Sequence, residues 1–293
     1  MSEFTYIAPK KFINSVFGGQ KPNNKDNYRV QSLLLILGLG EIMKRNSSGP
    51  ISLHNNFALI PVQPSTRMTI REIMNLIFPY NSIGEIKRFF TSCYQKNFAF
   101  HQKICNELLT SIGYMEKNNP IASFVSIYRL YEQIALSLPI VTLIRKAQFP
   151  VTFNDYKQLI DNKAKSDLSV LKNYSENILD PNIGDIDVEF DFSNTTSPNK
   201  YVSLLVSLIP HGLRSTHITF NTPVSLRIKN KHMQMIVITF RNRYFHYLFN
   251  EKNIDYNDLP YPEEFLEVCN PLFINFYSQM YLDLLGSELY IWG

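Results

Sequence analysis

The sequence predicts a mainly α-helical fold: a helical bundle over residues 81–293 with strands inserted near 185–229, preceded by an N-terminal helical extension within residues 1–80. Three observations predict it. Apolar residues recur at spacings of three and four through most of the chain, the helical period. One stretch, GDIDVEFDF, alternates with a period of two, which only a strand uses. The 293 residues are 45% apolar and 13% aromatic, enough to offset the entropy of ordering one large or two modest domains.

Taken in order, NYRVQSLLLILGLGEIMKR has a helix-like apolar content, and PISLHNNFALIPV, punctuated by proline, reads as extended. TIREIMNLIF is a short helix opened by a T-x-x-E capping box from Thr69 to Glu72. SIGEIKRFFTSCYQKNFAFHQKICNELLTSIGYM and NPIASFVSIYRLYEQIALSLPIVTLIRK follow as two long helices. The turn EKNNP between them marks an antiparallel hairpin. Pro139 is expected to kink or break the second. TFNDYKQLIDNKAKSDLSVLKNYSENIL reads as a further helix with a polar outer face. In the strand GDIDVEFDF, Ile186, Val188, Phe190 and Phe192 form the apolar face and Asp185, Asp187, Glu189 and Asp191 the acidic one. THITFNTPVSLRI offers two more extended pieces around NTP. Helices return at HMQMIVITFRNRYFHYLF and at PEEFLEVCNPLFINFYSQMYLDLLG, where Pro262 suits a first helical turn.

Several function classes are excluded or disfavoured. Three cysteines, with no CxxC or Cys/His spacing, make neither a disulfide framework nor a zinc finger. His54, His101, His211 and His217 show no ligand-like spacing, so no metal and no cofactor is expected. No GxxxxGK[ST] or GxSxG motif occurs. The N-terminal residues lack a signal-peptide core, and the apolar runs LLLILGLG and IALSLPIVTLI are shorter than the roughly 20 residues that span a bilayer. The expectation is a cytoplasmic protein with no membrane partner.

Charge is segregated along the chain. Ser193 to Asn250 contains no acid, yet holds Lys200, Arg214, Arg227, Lys229, Lys231, Arg241, Arg243 and four of the six histidines. Acidic segments flank it on both sides. The block is therefore a candidate polyanion surface, with Arg227, Lys229, Lys231 and Arg243 as nucleic-acid-binding residues. Mutual pairing of the three segments is the competing reading. In a third, the acidic strand lies over the basic block and excludes RNA.

Within that block FRNRYFHY sets Arg241, Asn242 and His246 among aromatics after an apolar run. Residues five apart on a helix are about 140° apart, so Arg241 and His246 flank one cleft only if the helix begins or bends there. RIKNKH, from Arg227 to His232, repeats the gap in a polar, turn-like context. The context of RNRYFH resembles the signature of HEPN-domain proteins: an Arg, a polar residue that is commonly Asn, and a His after four to six intervening residues. The resemblance implies a helical bundle, and in many members a metal-independent endoribonuclease, often dimeric, in prokaryotic toxin or antiviral defence roles. It departs from a compact member of that family in the long interval, with strands, between the hairpin and the motif. On this reading His246 is the general base or acid, Arg241 stabilises the phosphorane, and Asn242 orients phosphate or imidazole. Glu132 orients Arg241 or His246. RNA, a second copy of the chain and a neutralising or activating protein are the implied partners. The alternatives are a non-catalytic RNA- or protein-binding module, or Arg241 and His246 serving only as helix-end partners of Glu132 or Glu264. Asp185 and Asp187 also suggest a magnesium-binding nucleotidyltransferase, but the Gly-Ser turn such enzymes need upstream is missing.

Overall fold

The structure, a computed structural model, describes residues 3–7, 27–45, 49–59, 63–64, 78–79, 81–146, 151–159, 166–246 and 253–293. The fold is mainly helical with small antiparallel sheets, as the periodicities predict. The capping box at Thr69–Glu72 lies outside the described residues.

Among the described residues before 80, strands accompany the expected helix. Strand β1 (Phe4–Ile7) pairs with β2 (Glu41–Lys44), which pairs with β3 (Ile51–Ser52). Only Tyr28–Ile36 of the expected first helix is helical, forming α1. The chain leaves it through Gly38 at φ +67° and Gly40 at φ +102°. A Cβ on Gly38 would sit 2.3 Å from the carbonyl oxygen of Asn55, so the turn back into β2 requires glycine there. The short strands β4 (Asn55–Asn56) and β5 (Gln63–Pro64) pair beyond it. Leu33, Leu34, Leu35 and Ile36 of α1 are fully buried in the same core as the helices that follow, so position 80 divides no core.

The long helix expected over 82–115 is two helices, α2 (Ile83–Ser92) and α3 (Phe98–Met115). The joint between them is held open by a residue far away in sequence. Arg29 of α1, 1% exposed, donates to the carbonyls of Cys93, Tyr94 and Lys96 at 2.8, 3.3 and 2.6 Å. Those carbonyls are satisfied without a continuous helix. Asn97 turns the chain back into α3 from the left-handed region.

The hairpin forms as expected. Asn118 is left-handed at φ 52°, Asn119 caps the N–H of Ala122, and α4 (Pro120–Lys146) returns along α3. Pro139 does not break α4, which runs through it as one element. Packing against α3 and the later helices outweighs the hydrogen bond that proline removes. One face of α4 is buried through Phe124, Ile127, Tyr131, Ile134 and Leu138. The other exposes Val125, Arg129, Glu132, Leu136, Ile140 and Ile144. Among the described residues α4 is the one helix long and apolar enough to cross a membrane, and half of that window is buried within the fold.

The next expected helix is also divided, into α5 (Val151–Leu159) and α6 (Asp167–Asn177), and a short α7 (Pro181–Gly184) leads into β6 (Asp187–Asp191). The alternation of β6 is realised: Val188 and Phe190 are buried while Asp187, Glu189 and Asp191 are exposed. Helix α8 (Pro198–Leu208) and the short α9 (Arg214–His217) precede β7 (Ile218–Asn221) and β8 (Ser225–Lys229). The order β6-β8-β7 leaves β6 on an edge, where its exposed carboxylates discourage further strand pairing. Helix α10 (Met233–Phe245) and the 31-residue α11 (Pro262–Trp292) complete the bundle, and α11 continues through Pro271.

Helices α4, α10 and α11 meet in an aromatic cluster. The Phe124 ring lies 5.0 Å from Phe240 and 6.0 Å from Phe273, and Phe240 lies 5.2 Å from Phe265. At the other end of α11, Glu288 meets Arg29 at 2.9 Å and His101 at 3.2 Å. His101 also faces the Tyr281 hydroxyl at 2.9 Å. All three charged or titratable groups are about 1% exposed.

Candidate functional site

The geometry of the Arg241–His246 segment follows from where α10 stops. Its apolar residues Met233, Met235, Ile236, Val237 and Phe240 are buried and fix its roll on the bundle. The helix ends at Phe245, and His246 adopts an extended conformation (φ −114°, ψ 118°). The carbonyl of Arg243, freed by that ending, accepts the N–H of Ile254 at 3.0 Å. His246 thus escapes the 140° separation that a continuous helix would impose. Arg241, Phe245 and His246 of α10 line one cleft of about 260 Å³ with Phe124, Val125, Tyr128, Arg129 and Glu132 of α4.

Arg241 is held without a carboxylate. Its guanidinium lies 4.4 Å from the ring centre of Tyr128, and its Nη1 donates to Asn242 Oδ1 at 3.1 Å. It forms no ion pair among the described residues. The ring face supplies electrostatic support at a cost of no anion, and leaves most of the donor fork free. Burial, with Glu132 adding to it, pushes the Tyr128 hydroxyl up to about 12, against the opposing charge of Arg241. Tyr128 is therefore protonated, with Glu132 beside it in the cleft. Phe245 stacks on Phe124 at 5.7 Å and 7°, forming an apolar wall. His246 is exposed at the mouth and makes no hydrogen bond among the described residues.

The structure therefore brings Arg241, Asn242, His246 and Glu132 together, as the sequence predicted. Tyr128 was missed, although YRLYEQ places it one turn before Glu132 on the same helix. The competing acid partners go elsewhere. Glu264 accepts from the N–H and Oγ1 of Thr196 and from Tyr201, while Arg129 turns to Glu107 at 3.7 Å.

The four expected nucleic-acid-binding residues are corrected. In the β6–β8 register Glu189 stands opposite Arg227 and Asp187 opposite Lys229. Arg227 meets Glu189 at 2.8 Å, Lys229 meets Asp187 at 3.0 Å, and Lys231 meets Asp185 at 2.7 Å. Arg243 is 8% exposed and donates to the carbonyl and Oγ of Ser207. The register sets Asp187 and Glu189 against Lys229 and Arg227 and neutralises both β8 cations, while Asp191 stands opposite Ser225. The same pairs occupy Asp185 and Asp187 with lysines, against the magnesium reading.

A larger groove of about 590 Å³ runs between α8 and the β7–β8 turn. Its lining is amides, hydroxyls and aliphatic groups with Arg214, and it holds no acid–base pair. No protein-family model matches this chain, and neither curated proteins nor solved structures include one similar to it.

Proposed function

We propose that the α4–α10 cleft cleaves RNA without a metal, using the 2′-hydroxyl as nucleophile. The observation that carries this reading is an arginine seated on a tyrosine ring, in no ion pair among the described residues, sharing a cleft with an exposed imidazole. A base removes the 2′-hydroxyl proton, the 2′-oxygen attacks phosphorus, and the 5′-oxygen leaves with a proton from an acid. The products are a 2′,3′-cyclic phosphate and a 5′-hydroxyl. His246 serves as base or acid, because an imidazole exchanges protons near neutral pH. Arg241 offers a planar fork to the charge that develops on the phosphorane. Asn242 and Tyr128 position Arg241, and Glu132 lines the same cleft. The resemblance to HEPN-domain ribonucleases supports the same assignment, with a toxin or antiviral defence role in the cytoplasm and a neutralising or activating protein as regulator.

One motif supplies one histidine, whereas in-line transfer uses both an acid and a base. A two-fold dimer meets that need. Leu136, Ile140 and Ile144 extend the exposed face of α4 away from the cleft, 43%, 54% and 55% exposed, and suit contact with a second copy. Light scattering of the purified protein should give twice the monomer mass, and Ile140→Glu should halve it. A monomer that instead sediments with phospholipid vesicles through this face would overturn the dimer.

The neutralised strand cations favour a second reading, in which the cleft grips one anionic group of a partner and does not cut. A single assay separates the two. Total RNA is incubated in EDTA with wild type, Arg241→Ala and His246→Ala, and a defined oligonucleotide is tested with and without 2′-O-methylation. The nuclease reading expects cleavage in EDTA to cyclic-phosphate ends, lowered about 10²-fold or more in each variant and abolished by 2′-O-methylation. Equal activity in the variants, or cutting of the methylated substrate, would sink it. RNA retention without cutting, weakened by Arg241→Ala, favours the second reading.

A further inference from the structure

A second constellation lies at the opposite end of α10 from the cleft. Glu176 is in the last turn of α6, His217 ends α9, and His232 directly precedes α10. One ligand atom from each lies within 4.8 Å of the other two. All three atoms pose the same problem: Glu176 Oε1, His217 Nε2 and His232 Nδ1 are buried and have no hydrogen-bond partner. Both imidazoles are 6% exposed. Three orphaned polar atoms converging on one point are costly unless something satisfies them.

We propose that Glu176, His217 and His232 bind a divalent transition-metal ion, zinc foremost, through Glu176 Oε1, His217 Nε2 and His232 Nδ1.

The donor set is the first support. Two imidazole nitrogens and one carboxylate oxygen suit zinc and its first-row neighbours, and leave a fourth position for water. The side chain of Glu176 is 25% exposed, which gives that position a path to solvent. The second support is the supporting hydrogen bond. His217 Nδ1 lies 2.9 Å from Thr216 Oγ1, so an Nδ1–H donated there leaves the Nε2 lone pair free for a metal.

The two rings stack at 3.4 Å and 16°, so their lone pairs run side by side. Tetrahedral bonds of about 2.0–2.1 Å require donors about 3.3 Å apart with converging lone pairs. Metal entry therefore turns the rings out of the stack and draws Glu176 inward. Lys172, 3.9 Å from Glu176 Oε1 and 38% exposed, swings toward solvent, while Lys231 remains on Asp185. The ion ties α6, the end of α9 and the start of α10 at one point. It sits nine residues from Arg241, about 13 Å along the helix, so it is a staple and not a participant in the cleft. The inference is independent of the RNA reading.

The test uses tag-free, metal-stripped protein whose fold is verified by circular dichroism. Zinc is titrated in competition with a chromophoric chelator, and cobalt(II) is followed by its visible ligand-field bands. One equivalent of zinc is expected, with cobalt bands that zinc displaces. His217→Ala and His232→Ala should each weaken zinc by more than about 100-fold, since loss of a mere supporting partner already costs 10- to 100-fold. His211→Ala, an exposed control, should change nothing. Should the ligand variants misfold, nitrogen-15 spectra of the wild-type imidazoles replace them: zinc must shift His217 and His232 and spare His211 and His54. Absence of stoichiometric binding by folded wild type, unchanged affinity in folded ligand variants, or shifts confined to the exposed histidines would each overturn the proposal.

Discussion

The molecule contains an arginine, a histidine, a glutamate and a tyrosine assembled twice, with opposite consequences. Arg29, His101, Glu288 and Tyr281 are sealed in the core, and every strong donor of Arg29 is spent on Glu288 or on the carbonyls of Cys93, Tyr94 and Lys96. Arg241, His246, Glu132 and Tyr128 line a cleft, and there the arginine faces an aromatic ring and forms no ion pair among the described residues. Residue type does not separate a structural knot from an open cleft. Burial and the saturation of donors do, because a saturated guanidinium has nothing left to offer an incoming phosphate.

The sharpest way to break this comparison is to remove each glutamate charge. Glu288→Gln strands Arg29 in the core and should cost about 3–5 kcal/mol in urea unfolding. Glu132→Gln, on an exposed face, should stay within about 0.5 kcal/mol. Equal effects would show that the two clusters do not differ as described.

Acid titration offers the next largest contrast. Burial alone would raise Glu288, but the hydrogen bonds from His101 and Arg29 and the charge of Arg29 outweigh it and hold the carboxyl at about 2, against 4.5 when unfolded. A lowered carboxyl contributes stability above its unfolded pKa and loses it as pH falls toward the folded one. On the order of 3 kcal/mol should therefore disappear between about pH 5 and pH 2. His101 is held down chiefly by burial, so its neutral ring adds a loss that begins below about pH 6.5, where the unfolded imidazole takes up a proton. Urea midpoints across this range test the slope, and Glu288→Gln should flatten its acid limb.

The smallest effect expected is at Tyr128→Phe. The ring under Arg241 remains and only the hydroxyl is lost. Stability should stay within about 0.5 kcal/mol and RNA cleavage within about 3-fold of wild type. A loss as large as that of Arg241→Ala would assign the hydroxyl a direct role in the chemistry.

Local signals survived into the structure where the chain's own period decided the outcome. The EKNNP hairpin and the alternation of β6 were legible in the sequence, and Arg241 and His246 flank one cleft on the condition the sequence set, that the helix ends between them. Misreadings occurred where a distant residue decided. The break between α2 and α3 is stabilised by Arg29, about 65 residues away, and no local pattern encodes it. The basic stripe on β8 was visible, but its neutralisation depended on which strand lay alongside. Glu176, His217 and His232 are likewise scattered in sequence and meet only through the sheet and its flanking helices. Sequence spacing could not find them.

The aromatic cluster of Phe124, Phe240, Phe265 and Phe273 has a temporal consequence. Two of its four rings belong to α11, which follows both walls of the cleft in the chain. A growing polypeptide on the ribosome therefore carries Arg241 and His246 before it possesses the platform on which their helix settles. The cleft is therefore complete only after α11 has been made and packed against both of its walls.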